Sequence, residues 1–113
     1  FHTPLMRAAR RPFREALDRI DLRRLEVPLV SNAKAKVVHS GRRAGRLLAR
    51  QLTAPVDWTR CVERLRALGT TSYVELGPGR VMESMIKRID PRAAVAMVAT
   101  PDEIRALAAA ARA

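Results

Sequence analysis

Cysteine and aromatic residues are scarce in this sequence. Of 113 residues, one is a cysteine, Cys61, and 4% are aromatic. A single cysteine excludes an internal disulfide, and no cysteine and histidine residues have the spacing of a structural zinc site. We therefore expect no bound metal and a reducing compartment, the cytoplasm. Few side chains are available to stack on nucleic-acid bases, which counts against a single-strand-binding protein.

Long apolar runs are also missing. The longest spans residues 93–99, far short of the roughly 20 residues that cross a bilayer, so we expect no membrane segment. The first six residues, FHTPLM, lack the basic head and apolar stretch of a signal peptide, and the chain does not begin with methionine. We expect a fragment or a processed chain.

Acidic residues are half as numerous as basic ones, with 11 Asp and Glu against 22 Lys and Arg. Residues 1–50 carry a net charge of +9, whereas residues 51–113 carry +2. The excess indicates either an acidic partner or a solvated arginine-rich surface. Nucleic acid is the less favoured partner, because no zinc finger or ribonucleoprotein signature accompanies the charge.

Apolar periodicity predicts helices that alternate with short strands. A helix over 4–19 begins at Thr3-Pro4, and Pro12 inside it predicts a kink or an early break. The helix that follows Gly41 is expected to carry Leu47, Leu48, Gln51 and Leu52 on one face. The other predicted helices begin after Asp57, at about Val81, and at a capping box formed by Thr100 and Glu103, the last one running to about residue 112.

Strands are predicted at four places: 27–30, 36–38, 72–76 and 94–98. The first and the last consist of apolar residues, so we expect both to be buried. Because parallel strands need crossover connections, the alternation with helices predicts an α/β fold with parallel pairing. Gly77-Pro78-Gly79, between a strand and a helix, fits a tight turn better than a phosphate-binding loop, since Pro78 offers no N–H.

His2 is the first candidate for chemistry, because it lies just before a helix start and imidazole titrates near neutrality. The alternative is an exposed terminal histidine without a role, and His39 is interpreted as solvated. No serine has the flanking glycines of a Gly-x-Ser-x-Gly nucleophile elbow. Cys61 falls on the inner stripe of a predicted helix, where a small buried side chain is the expected role. The residues alone therefore show a possible base without a nucleophile.

Five stretches, taken in order, resemble the C-terminal part of the malonyl-CoA:acyl carrier protein transacylases, the acyltransferases of fatty acid and polyketide synthesis. They are Phe1–Met6 (FHTPLM), Val27–Asn32 (VPLVSN), Arg50–Thr59 (RQLTAPVDWT), Glu75–Gly79 (ELGPG) and Lys87–Ile89 (KRI). The resemblance implies that residues 1–113 are the C-terminal portion of a three-layer α/β/α hydrolase-like acyltransferase domain without its ferredoxin-like insert.

The resemblance also implies roles for three residues. His2 is the general base for a serine nucleophile that lies outside this chain, and the main-chain carbonyl of Gln51 orients its imidazole. Phe1 contacts the substrate and favours malonyl over methylmalonyl. The implied reaction moves malonyl from coenzyme A to the phosphopantetheine thiol of acidic acyl carrier protein, with malonyl-CoA as substrate and no bound cofactor.

Two alternatives accompany this interpretation. One is the acyltransferase domain of a polyketide synthase, which performs the same chemistry. The other, from a different class, is a non-catalytic basic module that binds nucleic acid. If the chain is a transacylase fragment, we expect it to be inactive by itself and to expose apolar surface where other strands would pair.

Overall fold

A computed structural model of the chain describes residues 1–79 and 81–111, which contain both helices and strands and confirm the α/β class. The chain divides into two compact units, Phe1–Leu68 and Gly69–Ala113. Within the described ranges, no helix is long and apolar enough to cross a bilayer.

The first unit contains a 3₁₀ turn, three helices and two strands. In chain order these are the turn Pro4–Met6, α1 (Arg7–Asp18), β1 (Arg24–Ser31), β2 (Lys36–Ser40), α2 (Gly41–Gln51) and α3 (Trp58–Ala67). The second unit contains β3 (Ser72–Leu76), α4 (Val81–Ile89), β4 (Ala94–Val98) and α5 (Pro101–Ala110). The predicted end of the last helix, at residue 112, lies outside the described residues.

Short polar side chains begin the helices where the sequence predicts them. The Asp57 carboxylate accepts a hydrogen bond from the Arg60 N–H at 3.3 Å and caps α3. The Ser40 hydroxyl accepts one from the Arg43 N–H at 3.3 Å and caps α2. Both bonds satisfy an N–H that lacks a partner within its helix, so these boundaries follow from local sequence.

The predicted break at Pro12 is wrong, because α1 continues through the proline to Asp18. Pro12 removes one backbone hydrogen bond. Two ion pairs on the same helix, Arg11–Glu15 at 3.1 Å and Arg14–Asp18 at 2.9 Å, support the turns around and beyond it. Leu17 is buried after the proline, and packing of α1 against α2 offsets the lost bond.

The first two strands pair antiparallel, which corrects the expectation of parallel pairing. Only four residues separate β1 from β2, enough for a hairpin and too few for a crossover. The prediction that residues 27–30 are buried is also wrong, since Val27 is 77% exposed. An apolar run identifies the strand but not which of its faces another layer covers.

Helix α2 buries small residues, whereas the sequence predicted a leucine face. Gly41, Ala44, Gly45 and Ala49 are buried, while Leu48 is 38% exposed. The reason is a close approach of main chain, because a Cβ built on Gly41 would lie 2.1 Å from the carbonyl oxygen of Leu22. The core of this unit lies beneath α2 and α3, where Val38 and Val62 are fully buried.

In the second unit, β3 and β4 pair parallel in register from Ser72 opposite Ala94 to Leu76 opposite Val98. Both strand boundaries agree with the sequence prediction. The expectation that 94–98 is buried throughout is wrong, since Val98 is its one buried residue. The capping box is confirmed, with the Thr100 hydroxyl accepting from the Glu103 N–H and the Glu103 carboxylate accepting from the Thr100 N–H.

The segment Gly77-Pro78-Gly79 forms a turn with positive φ at both glycines, +130° and +117°. The Glu75 carboxylate accepts hydrogen bonds from the N–H groups of Met82 and Glu83, at 3.3 and 3.2 Å, in the first turn of α4. Because a side chain of the protein already occupies these donors, the segment has the structure of a turn, as the sequence predicted, and not of a phosphate cradle.

Candidate functional site

His2 precedes the 3₁₀ turn and has a left-handed backbone, with φ of +63°. Its neighbour Thr3 returns to extended geometry, and the Thr3 hydroxyl and carbonyl accept from the N–H groups of Leu5 and Met6, at 3.5 and 3.0 Å. A non-glycine residue in this region is uncommon and is often held there by its surroundings at functional sites. The turn that follows His2 therefore helps to hold its backbone, and with it the direction in which the side chain leaves the main chain.

The His2 imidazole is held by the main chain of α2. Its Nδ1 lies 2.9 Å from the carbonyl oxygen of Gln51, which is 49 positions away in sequence. A carbonyl oxygen only accepts hydrogen bonds, so Nδ1 must carry the proton and donate. In the neutral ring, Nε2 then has a lone pair and can accept a proton from another group. The structure thus brings together the two residues that the family resemblance pairs, in a tautomer that leaves Nε2 able to accept a proton.

The acceptor oxygen lies at the negative end of a helix. Gln51 is the last residue of α2, an 11-residue helix. The peptide dipoles of a helix leave partial negative charge at its C-terminus, which stabilises a nearby cation. The His2 Nδ1–H thus donates to an oxygen whose partial negative charge the α2 dipole reinforces.

An open cleft of about 180 Å³ adjoins the imidazole. Its lining combines the site residues with apolar side chains from two helices: Phe1, His2, Phe13, Leu48, Gln51 and Leu52. Phe1 is 82% exposed at its edge. The sequence placed Phe13 and Leu48 only on helical stripes. Nothing in their spacing indicates that the packing of α1 and α2 brings both beside His2.

The other candidate residues lie apart from this cleft. His39 is exposed, as the sequence predicted. Cys61 is 3% exposed, and its Sγ is 3.8 Å from the Ser31 carbonyl oxygen and from Asn32 Oδ1. Burial, and then the negative charge of Asp57, raise the pKa of the Cys61 thiol above its ordinary value. A protonated, buried thiol is a poor nucleophile, which agrees with the predicted packing role.

No group of three or more His, Cys, Asp or Glu residues within 1–79 and 81–111 is arranged to hold a metal ion. The site therefore consists of an exposed histidine, a helix-terminal carbonyl and an apolar cleft. Its chemical capacity is that Nε2 of the histidine can accept a proton from a group placed beside it.

Sequence comparison supplies the family context of this site. No protein-family model matches the chain. A malonyl CoA-acyl carrier protein transacylase of Bacillus subtilis (strain 168) is 33% identical over 104 residues, which cover 92% of this chain and 33% of the relative.

Solved structures that resemble this chain include transacylases of the same kind. The malonyl-CoA:acyl carrier protein transacylase of Xanthomonas oryzae pv. oryzae superposes with a TM-score of 0.82 at 37% identity, covering 96% of this chain and 35% of that one. The chain is homologous to the malonyl-CoA:acyl carrier protein transacylases. It spans about a third of the length of the relatives it matches, which agrees with the C-terminal part that the motifs predict.

A third similar structure includes a partner. It is a malonyl-transacylase in complex with the acyl carrier protein of a type II polyketide synthase. The TM-score is 0.80 at 34% identity, and the match covers 96% of this chain and 35% of that chain. Transacylase relatives thus include one whose setting is polyketide synthesis.

Proposed function

We propose that residues 1–113 are the C-terminal portion of an acyltransferase domain that transfers malonyl from coenzyme A to the phosphopantetheine thiol of acyl carrier protein. The observation that supports this most strongly is the hydrogen bond between His2 Nδ1 and the Gln51 carbonyl, at 2.9 Å. It leaves Nε2 as a base in a chain whose relatives are named as malonyl transacylases. The lone cysteine, a free thiol, fits a reducing compartment, and we assign the reaction to the cytoplasm.

The proposed reaction has two halves. His2 Nε2 takes the proton of a serine hydroxyl, from a residue outside this chain, as that oxygen attacks the malonyl thioester carbonyl. The carbon–sulfur bond breaks, and the imidazolium returns the proton to the departing coenzyme A thiolate. The carrier thiol then gives its proton to Nε2 and attacks the seryl ester, and the serine oxygen leaves with that proton. Serine and histidine suffice for this chemistry, so no metal or cofactor is required.

We assign Phe1 to substrate selection. It lies at the edge of the cleft beside His2, where a bulky ring leaves little room for a methyl branch on the acyl group. One methyl is worth about 1–3 kcal/mol of discrimination, so malonyl is preferred over methylmalonyl by a moderate factor.

A carrier protein from polyketide synthesis is the second candidate acceptor, because one similar structure contains such a carrier. The chemistry is the same for both acceptors. Comparing transfer to a fatty acid carrier and to a polyketide carrier under identical conditions distinguishes the two pathways, since the cognate carrier should give the larger kcat/KM.

The test is a transfer assay with the polypeptide at its natural length, radiolabelled malonyl-CoA and acyl carrier protein bearing phosphopantetheine. We expect His2→Ala to lower kcat by roughly 10²–10⁴-fold, because a general base contributes that much. Gln51→Ala is the matched control. It keeps the main-chain carbonyl and should retain most of the activity.

A His2→Ala variant with the native kcat would contradict the proposal. So would a large loss in Gln51→Ala with His2 unaffected, because the side chain of residue 51 has no part in the mechanism. The 113-residue chain alone is expected to show no transfer, since the nucleophile lies elsewhere.

A further inference from the structure

The carbonyl of Gln51 has no helical N–H partner four residues later in the chain, because that residue is a proline. In an α-helix the carbonyl of residue 51 would accept a hydrogen bond from the N–H of residue 55. Residue 55 is proline and has no N–H. The residue immediately after Gln51, Leu52, still has helical geometry, with φ −55° and ψ −33°. The chain then leaves the α-helical path over residues 52–54, where the Thr53 N–H bonds to Arg50 O, and residue 55 has no N–H that could compete for Gln51 O.

The carbonyl of Arg50, one residue before Gln51, is satisfied differently. Arg50 O accepts from the Thr53 N–H at 3.1 Å and from the Thr53 hydroxyl at 3.3 Å. The chain itself therefore satisfies Arg50 O, whereas Gln51 O receives the His2 imidazole. Carbonyls at a helix C-terminus need a partner from outside the helix, and each of these two has a different one.

We propose that Pro55 is a positioning residue for His2. By lacking an N–H at the position that would close the helical bond, it reserves Gln51 O for the imidazole and so fixes the tautomer in which Nε2 accepts protons. This role rests on the proposed function, in which His2 is the base. Pro55 is exposed and is not among the residues that line the cleft beside His2. It acts through Gln51.

The variant Pro55→Ala restores the missing N–H. That group can then donate to Gln51 O and compete with His2 Nδ1, while the residue before it is released from the restriction that proline imposes. We expect kcat to fall roughly 10- to 100-fold with little change in KM for malonyl-CoA, because the base is misplaced rather than the substrate.

Two further measurements separate this role from general rigidity of the loop. Alanine with its N–H replaced by an ester oxygen, introduced at position 55, has neither the ring nor the donor. We expect it to keep near-native kcat, whereas Pro55→Ala does not. The ¹⁵N chemical shifts of the His2 ring should show protonated Nδ1 in the native protein and in the ester variant, and a mixture of tautomers in Pro55→Ala.

Native kcat and an unchanged tautomer in Pro55→Ala would overturn the inference. So would equal losses in the alanine and ester variants, because the ring and not the missing donor would then matter. If the native protein has no transferase activity, or His2→Ala retains it, the proposed function fails; the ring ¹⁵N shifts still test the link between Pro55 and the imidazole.

Discussion

At the scale of single residues, glycine at position 41 is required by a contact that the sequence does not show. A Cβ at Gly41 would lie 2.1 Å from the carbonyl oxygens of both Leu22 and Arg23. These are backbone atoms, so relief requires the segment before β1 to move away from α2. At Gly45 the nearest atom is the end of the Leu22 side chain, at 2.8 Å, which can rotate.

We therefore expect Gly41→Ala to destabilise the fold by about 3 kcal/mol or more, the upper range for overpacking. Gly45→Ala is the matched control in the same helix. It should be close to neutral, because the better helix propensity of alanine offsets a small side-chain shift. Urea unfolding followed by circular dichroism measures both. Equal stability of the two variants would show that the Leu22–Arg23 main chain moves away from α2 at little cost in free energy.

His2 belongs to this scale as well. Its left-handed backbone costs of order 1–2 kcal/mol for an L residue, and the turn after it and the bond to Gln51 hold it in place. In the proposed function this matters, because the direction of the imidazole is set before substrate arrives.

At the scale of elements, charge and hydrogen bonding at helix ends connect stability to pH. The Glu103 carboxylate accepts from the N–H groups of Ala99 and Thr100, both at 2.8 Å, before α5. These bonds, with one from the Thr100 side chain, lower the pKa of Glu103 below its ordinary value. The folded protein therefore holds the proton less tightly than the unfolded chain does.

The direction in which stability changes with pH follows from the lowered pKa of Glu103. A depressed pKa contributes stability that is present above the pKa of the unfolded chain and is lost as pH falls through the folded value. We expect the free energy of unfolding of native protein to exceed that of Glu103→Gln at neutral pH, with a difference that shrinks as pH falls below about 4.3, the ordinary glutamate value. A pH-independent difference would show that the charge is not the cause.

At the scale of the whole molecule, positive charge is concentrated in residues 1–50, whose net charge is +9. On α1, Arg11 and Arg14 pair with neighbouring carboxylates. Three exposed arginines of α2, Arg42, Arg43 and Arg46, have no carboxylate partner among the described residues. Cations whose charge no nearby carboxylate offsets contribute strongly to the long-range attraction of an acidic partner, such as the carrier protein of the proposed function.

Replacing Arg42, Arg43 and Arg46 with glutamate should lower kcat/KM for the carrier about 10-fold at low salt and leave KM for malonyl-CoA unchanged, because charge steering acts on the association rate. The difference should shrink as salt screens the field.

Arg88→Glu with Arg92→Glu, on the second unit, is a control that also reverses basic residues. If the triple change leaves kcat/KM for the carrier unaltered, α2 is not part of the surface that docks the carrier. Binding of duplex DNA that the triple change abolishes would favour the nucleic-acid alternative instead.

Local chemistry determined much of the fold from sequence. Ser40, Asp57 and Thr100 mark helix starts because a capping side chain acts within one turn of its own backbone. The β3 and β4 boundaries agree with the predicted residues. Glycines at 69 and 77 lie on either side of β3 and prolines at 91 and 101 on either side of β4, so residues that break regular structure limit both strands. His2 could be singled out as a possible base, but its pairing with Gln51 was available only through resemblance to a family.

Tertiary structure decided the rest. It determined the exposure of Val27, the burial of small residues on α2 and the cleft that includes Phe13 and Leu48. Each depends on which surfaces meet, and that is the outcome of many weak contacts between distant residues, not of any one segment. The contact of His2 with Gln51 combines both levels. Pro55 makes the carbonyl available locally, and only folding brings the imidazole across 49 positions to reach it.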